Sequence, residues 1–194
     1  MLPMQKNRLE AFSDGVLAII ITIMVLELKV PHDPTIDALR GLAPAFSSYI
    51  LSFVYVGIYW NNHHHLFHAV TRVSGPVLWA NLHLLFWLSL VPFASGWMGE
   101  NHFDHLPVLL YGAVLLMSGV AYFVLSRALI SHQGADSALA VALGRDRKGK
   151  LSVAFYLLAI ALSFVDTRLS LGLYVLVALM WVKPDQRIEH SLID

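Results

Sequence analysis

Three charged residues stand at the head of a strongly apolar run: Arg8, Glu10 and Asp14 precede the stretch from Val16 to Leu26. A charge near hydrocarbon costs about 2.5–3.5 kcal/mol at a helix centre even on a lenient scale, so such groups persist where they face protein or water and find partners. A span polar at its mouth and apolar at its waist is a candidate pore element. A second concentration is His63, His64, His65 and His68. His64 and His68 are four residues apart on one helix face, the usual geometry for two metal ligands. No carboxylate shares that stretch and H-E-x-x-H is absent. A surface cluster at a helix end is therefore the simpler reading than a metal site, or than an intramembrane metal hydrolase built on His63, His64 and His68. Imidazole titrates near neutrality, which gives proton modulation a chemical basis. His102, Asp104 and His105 make a weaker set. The chain has no G-x-S-x-G, no phosphate loop and no carboxylate pair at working spacing, and Ser13-Asp14 lacks a base on its own helix. No enzyme and no cofactor are expected.

Composition sets the environment. Of 194 residues, 57% are hydrophobic and 13% charged, against about 45–50% and about 25% in soluble domains. The excess must contact lipid or other membrane helices. Cysteine is absent, which excludes a disulfide framework and thiolate metal sites. Net charge is zero, so nucleic acid is not an expected partner. Lys6 and Arg8 precede an apolar run, but the acidic residues among them and the missing small-residue cleavage site favour a retained span over a signal peptide.

A membrane helix needs about 20 mainly apolar residues. The hydropathy pattern predicts spans from Leu9 to Leu28, Leu39 to Asn62, Pro76 to Met98 and Leu106 to Leu129. Pro31 and Pro34 close the first, and Gly75-Pro76 opens the third. The apolar block from Leu151 to Val182 is too long for one helix and carries Asp166-Thr167-Arg168 in its middle. It reads as two short spans, Lys150 to Phe164 and Leu169 to Val182, or as a reentrant hairpin. Six spans place Lys6, Arg8, Arg72, Arg127, Arg145, Arg147, Lys148, Lys150, Lys183 and Arg187 on one side, and Lys29, Arg40 and Arg168 on the other. Ten of thirteen basic residues thus mark the cytoplasmic face of a multi-pass plasma-membrane protein, with both termini in the cytoplasm. Tyr49, Trp97, Tyr111 and Trp181 fall near span ends, as interface anchors would. The expectation is an all-α integral membrane protein, residues 1–194 forming one domain in the bilayer.

Within the first span, Arg8, Phe12, Gly15, Ile19, Thr22 and Leu26 recur at alternating steps of four and three, a heptad-like stripe. Ile23 lies one turn beyond Ile19. Copies of this helix around an axis would set Ile19, Ile23 and Leu26 against one another with a threonine ring between. Apolar rings of that kind constrict a pore and gate it by dewetting. The same stripe also fits a packing seam or a lipid face, since all of residues 16–26 but Thr22 are apolar.

Arg8-x-x-x-Phe12-Ser13-Asp14 resembles the R-x-x-x-F-S-D signature of the transmembrane protein 175 family, the lysosomal-type potassium channels and their prokaryotic relatives. Trp60-Asn61-Asn62-His63-His64-His65-Leu66-Phe67 is similar to that family's W-x-x-H-x-x-L-F pattern, and Asn81 to Phe93 to its third helix. The resemblance implies a six-helix homotetramer with a central pore lined by the first helix, which passes monovalent cations with a preference for potassium. It places the constriction at Ile19, Ile23 and Leu26, assisted by Thr22. Apolar rings would force partial dehydration, and potassium loses water more cheaply than sodium. A carbonyl filter of the T-V-G-Y-G kind is not expected: Val56-Gly57-Ile58-Tyr59 lies inside a span, with its carbonyls committed to the helix. The resemblance further implies a structural network of Arg8, Phe12, Ser13, Asp14, Trp60, His63 and Asn81 that fixes the angle of the first helix. The alternative function is a proton-linked or ion-coupled transporter using Asp14 and His63 as a relay.

Overall fold

The computed structural model describes residues 6–68, 70, 73–134, 137, 140 and 146–182. Arg72, Arg145, Lys183 and Arg187, which the charge count used, lie outside the described residues. The regular structure of the described residues is helical: α1 (Lys6–Leu26), α2 (Ile36–Gly41), α3 (Ala43–His68), α4 (Gly75–Ser89), α5 (Val91–Glu100), α6 (His105–Gln133), α7 (Arg147–Leu162) and α8 (Thr167–Val182). Three rods are long and apolar enough to cross a membrane, Lys6–Leu26, Gly75–Glu100 and His105–Gln133, and α8 is a shorter apolar helix. The α3 helix is also long but carries Asn61, Asn62 and four histidines in its last turns.

The boundaries follow local chemistry. The second predicted span began at Leu39, but Thr35 caps a separate short helix there, its Oγ1 accepting the Ala38 N–H at 3.2 Å, and α3 starts afresh at Ala43-Pro44. Pro44 has no N–H to lose in a first turn. The third predicted span is jointed at Leu90, just ahead of Pro92. A proline there removes a helix bond and bends the rod without ending it. After α5, His102 and Phe103 both take positive φ, 51° and 62°. The Phe103 N–H reaches back to the Met98 carbonyl at 3.0 Å, closing the helix end before Asp104 opens α6. The block from Leu151 to Val182 is a helical hairpin, α7 and α8, turned at Ser163–Asp166, with Asp166 Oδ1 accepting the Arg168 N–H at 2.9 Å.

Successive rods run up and down. The α4 helix packs on α6, α3 on α5, α7 on α6 and α8, and α1 rests on α3, α4 and α5. One end of the bundle gathers the start of α1, the ends of α3, α6 and α8, and the start of α7. In a low-dielectric interior every buried polar group needs a partner, and no fully enclosed side-chain nitrogen or oxygen among the described residues lacks one. Tyr111 bonds Ser52 (3.0 Å), Ser52 donates to Ser95 (2.8 Å), and Ser95 donates to the Ser48 carbonyl (3.1 Å), tying α6, α3 and α5 together. Tyr111 is therefore fully buried and is not the interface anchor its position suggested. On the other side Tyr55 donates to the Tyr174 carbonyl (2.6 Å) and Tyr174 to the Val108 carbonyl (3.1 Å).

Glycines set the closest approaches. A Cβ at Gly112 would collide with the Tyr174 hydroxyl and with Ile160, whereas one at Gly119 would meet Tyr59 and Tyr156 at ordinary contact distances of 3.8 and 3.9 Å. Gly112→Ala is expected to cost about 1–3 kcal/mol by overpacking and to lower the thermal midpoint in detergent. Gly119→Ala is expected to leave that midpoint unchanged or raise it, and equal effects of the two would refute this packing account.

Candidate functional site: the two faces of the first helix

The α1 helix divides by face. Leu9, Ser13, Leu17, Ile20 and Met24 are buried against the bundle, at steps of four, four, three and four that hold to one side of a 3.6-residue helix. Phe12, Ile19, Ile23 and Leu26 are exposed, at 55, 58, 41 and 79%, and Gly15 and Thr22 are exposed with them. At about 100° per residue this stripe lies roughly 140° round from the buried one. The protomer thus leaves an apolar helix face uncovered along nearly the whole length of α1.

The buried face is held by one hydrogen-bond series. Ser13 donates its only hydroxyl proton to the Leu9 carbonyl at 2.9 Å. It must therefore accept from Asn81, whose Nδ2 lies 3.0 Å from Ser13 Oγ. Asn81 Oδ1 is then turned to His63 Nε2 at 2.8 Å, so the imidazole proton sits on Nε2. Ser13, His63 and Asn81 are 0, 2 and 1% exposed. They join α1, α3 and α4 at one level. At the edge of this cluster Trp60 Nε1 donates to Asp14 Oδ1 at 3.1 Å, a second tie between α3 and α1.

Two residues expected in the network stand apart from it. Arg8 is exposed and has no polar partner within the chain among the described residues. Phe12 is one turn from it on the same exposed side. The reason is angular: each precedes a buried residue, Leu9 or Ser13, by one position and is rotated away from α3 and α4. Nor does the structure connect Asp14 to His63. The series from His63 passes through an amide and ends on the Leu9 carbonyl, and it does not reach Asp14. His63 faces Asn81, away from His64 and His68, and among the described residues no three metal-binding side chains converge.

At the far end of α1 lies a second set of charges. Lys29 Nζ meets Glu100 Oε1 at 2.6 Å, clipping the segment after α1 to the end of α5. The Glu100 carboxylate bonded to it raises the Lys29 ammonium above the usual lysine range, so the amine stays charged at any physiological pH. Glu27 packs over Gly96, and a groove of about 540 Å³ between α1 and α5 is lined by Ile19, Ile23, Glu27, Phe93 and Glu100. Sequence reading did not pair Lys29 with Glu100, because the two lie about 70 residues apart in the chain.

The family model described as endosomal/lysosomal potassium channel TMEM175 matches residues 8–92, the stretch that holds both faces of α1 and the Ser13–Asn81–His63 series. A protein from Chryseobacterium sp. (strain P1-3), named a potassium channel, is 56% identical over 189 residues, covering 97% of this chain and 98% of its own. The chain belongs to the TMEM175 family. The crystal structure of a lysosomal potassium-selective channel TMEM175 homologue from Chamaesiphon minutus superposes with a TM-score of 0.80 at 30% identity, over 93% of this chain and 97% of that one. The mouse protein, named endosomal/lysosomal proton channel TMEM175, is 28% identical over 183 residues, and the chain spans 37% of its length.

Replacing the central amide tests the buried face. Asn81→Leu strands His63 Nε2–H and removes the donor to Ser13, at an expected cost of about 1–3 kcal/mol. Trp60→Phe removes only an exposed bond and should cost less than about 1 kcal/mol. Thermal unfolding of both variants in detergent would show the ordering, and the reverse ordering would refute it.

Proposed function

We propose that this protein is a potassium-preferring cation channel: a homotetramer of six-span subunits in the plasma membrane, both termini cytoplasmic, with α1 of each subunit lining a central pore. The observation that carries the function is similarity over nearly the whole chain to a protein named a potassium channel. What supports the pore placement is the uncovered apolar face of α1, which four copies around an axis would bury against one another.

In this reading Ile19, Ile23 and Leu26 form the constriction, and ions cross it partly stripped of water. Thr22 sits between these layers. Its Oγ1 lies 2.8 Å from the Ile19 carbonyl and 3.2 Å from the Ala18 carbonyl, so its proton is committed to the backbone. A threonine oxygen whose proton is so engaged offers its lone pairs outward. A ring of four such oxygens would replace part of the water a potassium ion gives up. Ser13, Asn81 and His63 act from behind, holding α1 at a fixed rotation so that the apolar face stays on the axis. The groove between α1 and α5 is where a neighbouring subunit's α1 would pack.

Recordings from purified protein in planar bilayers test this. With potassium on one side and sodium on the other, the wild type is expected to show channel-sized currents and a potassium-shifted reversal potential. Ile19→Asn should raise conductance and move the reversal potential towards zero. Thr22→Val should lower potassium conductance by about tenfold, roughly what losing one favourable ion contact in a desolvated site would cost. If both variants match the wild type, the pore does not run along this face. The mouse relative's name supplies a second reading, proton conduction, and a pH gradient under symmetric potassium would reveal it as a proton-shifted reversal potential.

A further inference from the structure

Away from α1, the bundle contains a cavity that the pore does not use. The α3 helix packs on α5 and α8, and α7 packs on α6 and α8, but α3 and α7 do not pack closely on each other. Between them, over α6, lies a cavity of about 340 Å³, within the size range of small-ligand sites. Its walls are largely apolar, with Ile58, Val120, Phe123 and Val153 among them.

Two polar groups on α3 interrupt that wall. Tyr59 is 9% exposed, and its hydroxyl has no hydrogen-bond partner among the described residues. No fully enclosed side-chain oxygen or nitrogen in the described bundle lacks a partner, so the Tyr59 oxygen must open onto the cavity. Asn62, one turn nearer the bundle end, is 5% exposed. Its Nδ2 is spent on the Ile58 carbonyl at 2.8 Å, which leaves Oδ1 free to accept. At the rim stands the first turn of α7. Asp146 Oδ1 accepts the Gly149 N–H at 2.8 Å and caps that helix. Lys150 lines the cavity, is exposed, and has no ion pair among the described residues. Reading from the bundle end inward, the cavity therefore offers a cation beside the helix-capping Asp146 carboxylate, then an acceptor, a hydroxyl and an apolar interior.

We infer that this cavity binds an anionic amphiphile of the bilayer: its phosphate at Lys150, its glycerol-type neck at Asn62 and Tyr59, and one alkyl chain between α3, α6 and α7. Basic pockets between membrane helices recognise anionic headgroups in this way. An alkyl chain also fills apolar space that would otherwise lack contacts. A fatty acid shares the chain and the anion but lacks the neck.

The test is native mass spectrometry of the delipidated full-length protein titrated separately with phosphatidylglycerol, phosphatidylcholine and palmitate. Phosphatidylglycerol is expected to be retained about tenfold more tightly than phosphatidylcholine, the worth of one charge-assisted hydrogen bond. Lys150→Gln should abolish that preference, and Gly119→Leu, which fills the cavity, should remove the tight adduct altogether. Tyr59→Phe should weaken phosphatidylglycerol while leaving palmitate unaffected. Should palmitate hold as tightly as phosphatidylglycerol in the wild type and respond to Lys150→Gln, the amphiphile is a free acid and the site stands. If Gly119→Leu fails to fold, Lys150→Gln decides, since it changes only an exposed side chain. Equal retention of all three probes by wild type and Lys150→Gln would overturn the inference, leaving annular lipid and a cavity that holds only water.

Discussion

One asparagine amide determines how the first helix sits. Asn81 is where α1, α3 and α4 meet, and its two ends are not interchangeable. The Ser13 proton is already committed to the Leu9 carbonyl, so the amide nitrogen must turn to α1 and the oxygen to His63. Both contacts are buried, where an unmade hydrogen bond costs more than a made one gains. The rotation of α1 about its own axis is thereby constrained. Once Ser13 faces inward, the 3.6-residue period sends Ile19, Ile23 and Leu26 outward.

Polar bonds between helices recur through the bundle for the same reason. Tyr111–Ser52–Ser95 on one side and Tyr55–Tyr174 on the other join helices whose apolar surfaces would not, in lipid, be driven together by the hydrophobic effect. Small residues let these bonds form: Gly112 admits the Tyr174 ring, and Gly99 lies directly on the backbone of Ala45. The outcome is a stiff body from which one helix face is left uncovered. A pore built from that face would take its rigidity from contacts made behind it, and the face itself would need no buried polar group besides Thr22.

The part of the site legible in the sequence was the part written locally. The F-S-D run, the histidine after Trp60 and the asparagine opening the third span are short motifs, and three motifs in order indicated one network. What the motifs did not contain was direction. Arg8 and Phe12 belong to the signature yet point away from the partners of Ser13, because a shift of one residue is a rotation of about 100°. The hairpin at Asp166 was legible, since charge interrupts an otherwise apolar block. The joint at Leu90 and the separate α2 helix were not, because hydropathy averages over Pro92 and Thr35 alike.

The sequence by itself determined an all-helical membrane protein, the approximate limits of its rods, and a first helix with a polar head and an apolar body. Composition, proline placement and period are one-dimensional properties, and they suffice for that. The tertiary structure alone decided which face of that helix is buried, that Lys29 meets Glu100, and that Tyr59 and Asn62 open onto a cavity rather than onto each other. Those outcomes depend on distances between residues far apart in the chain. Along residues 16–26 every side but Thr22 is apolar, so no pattern there could choose a face until Asn81 did.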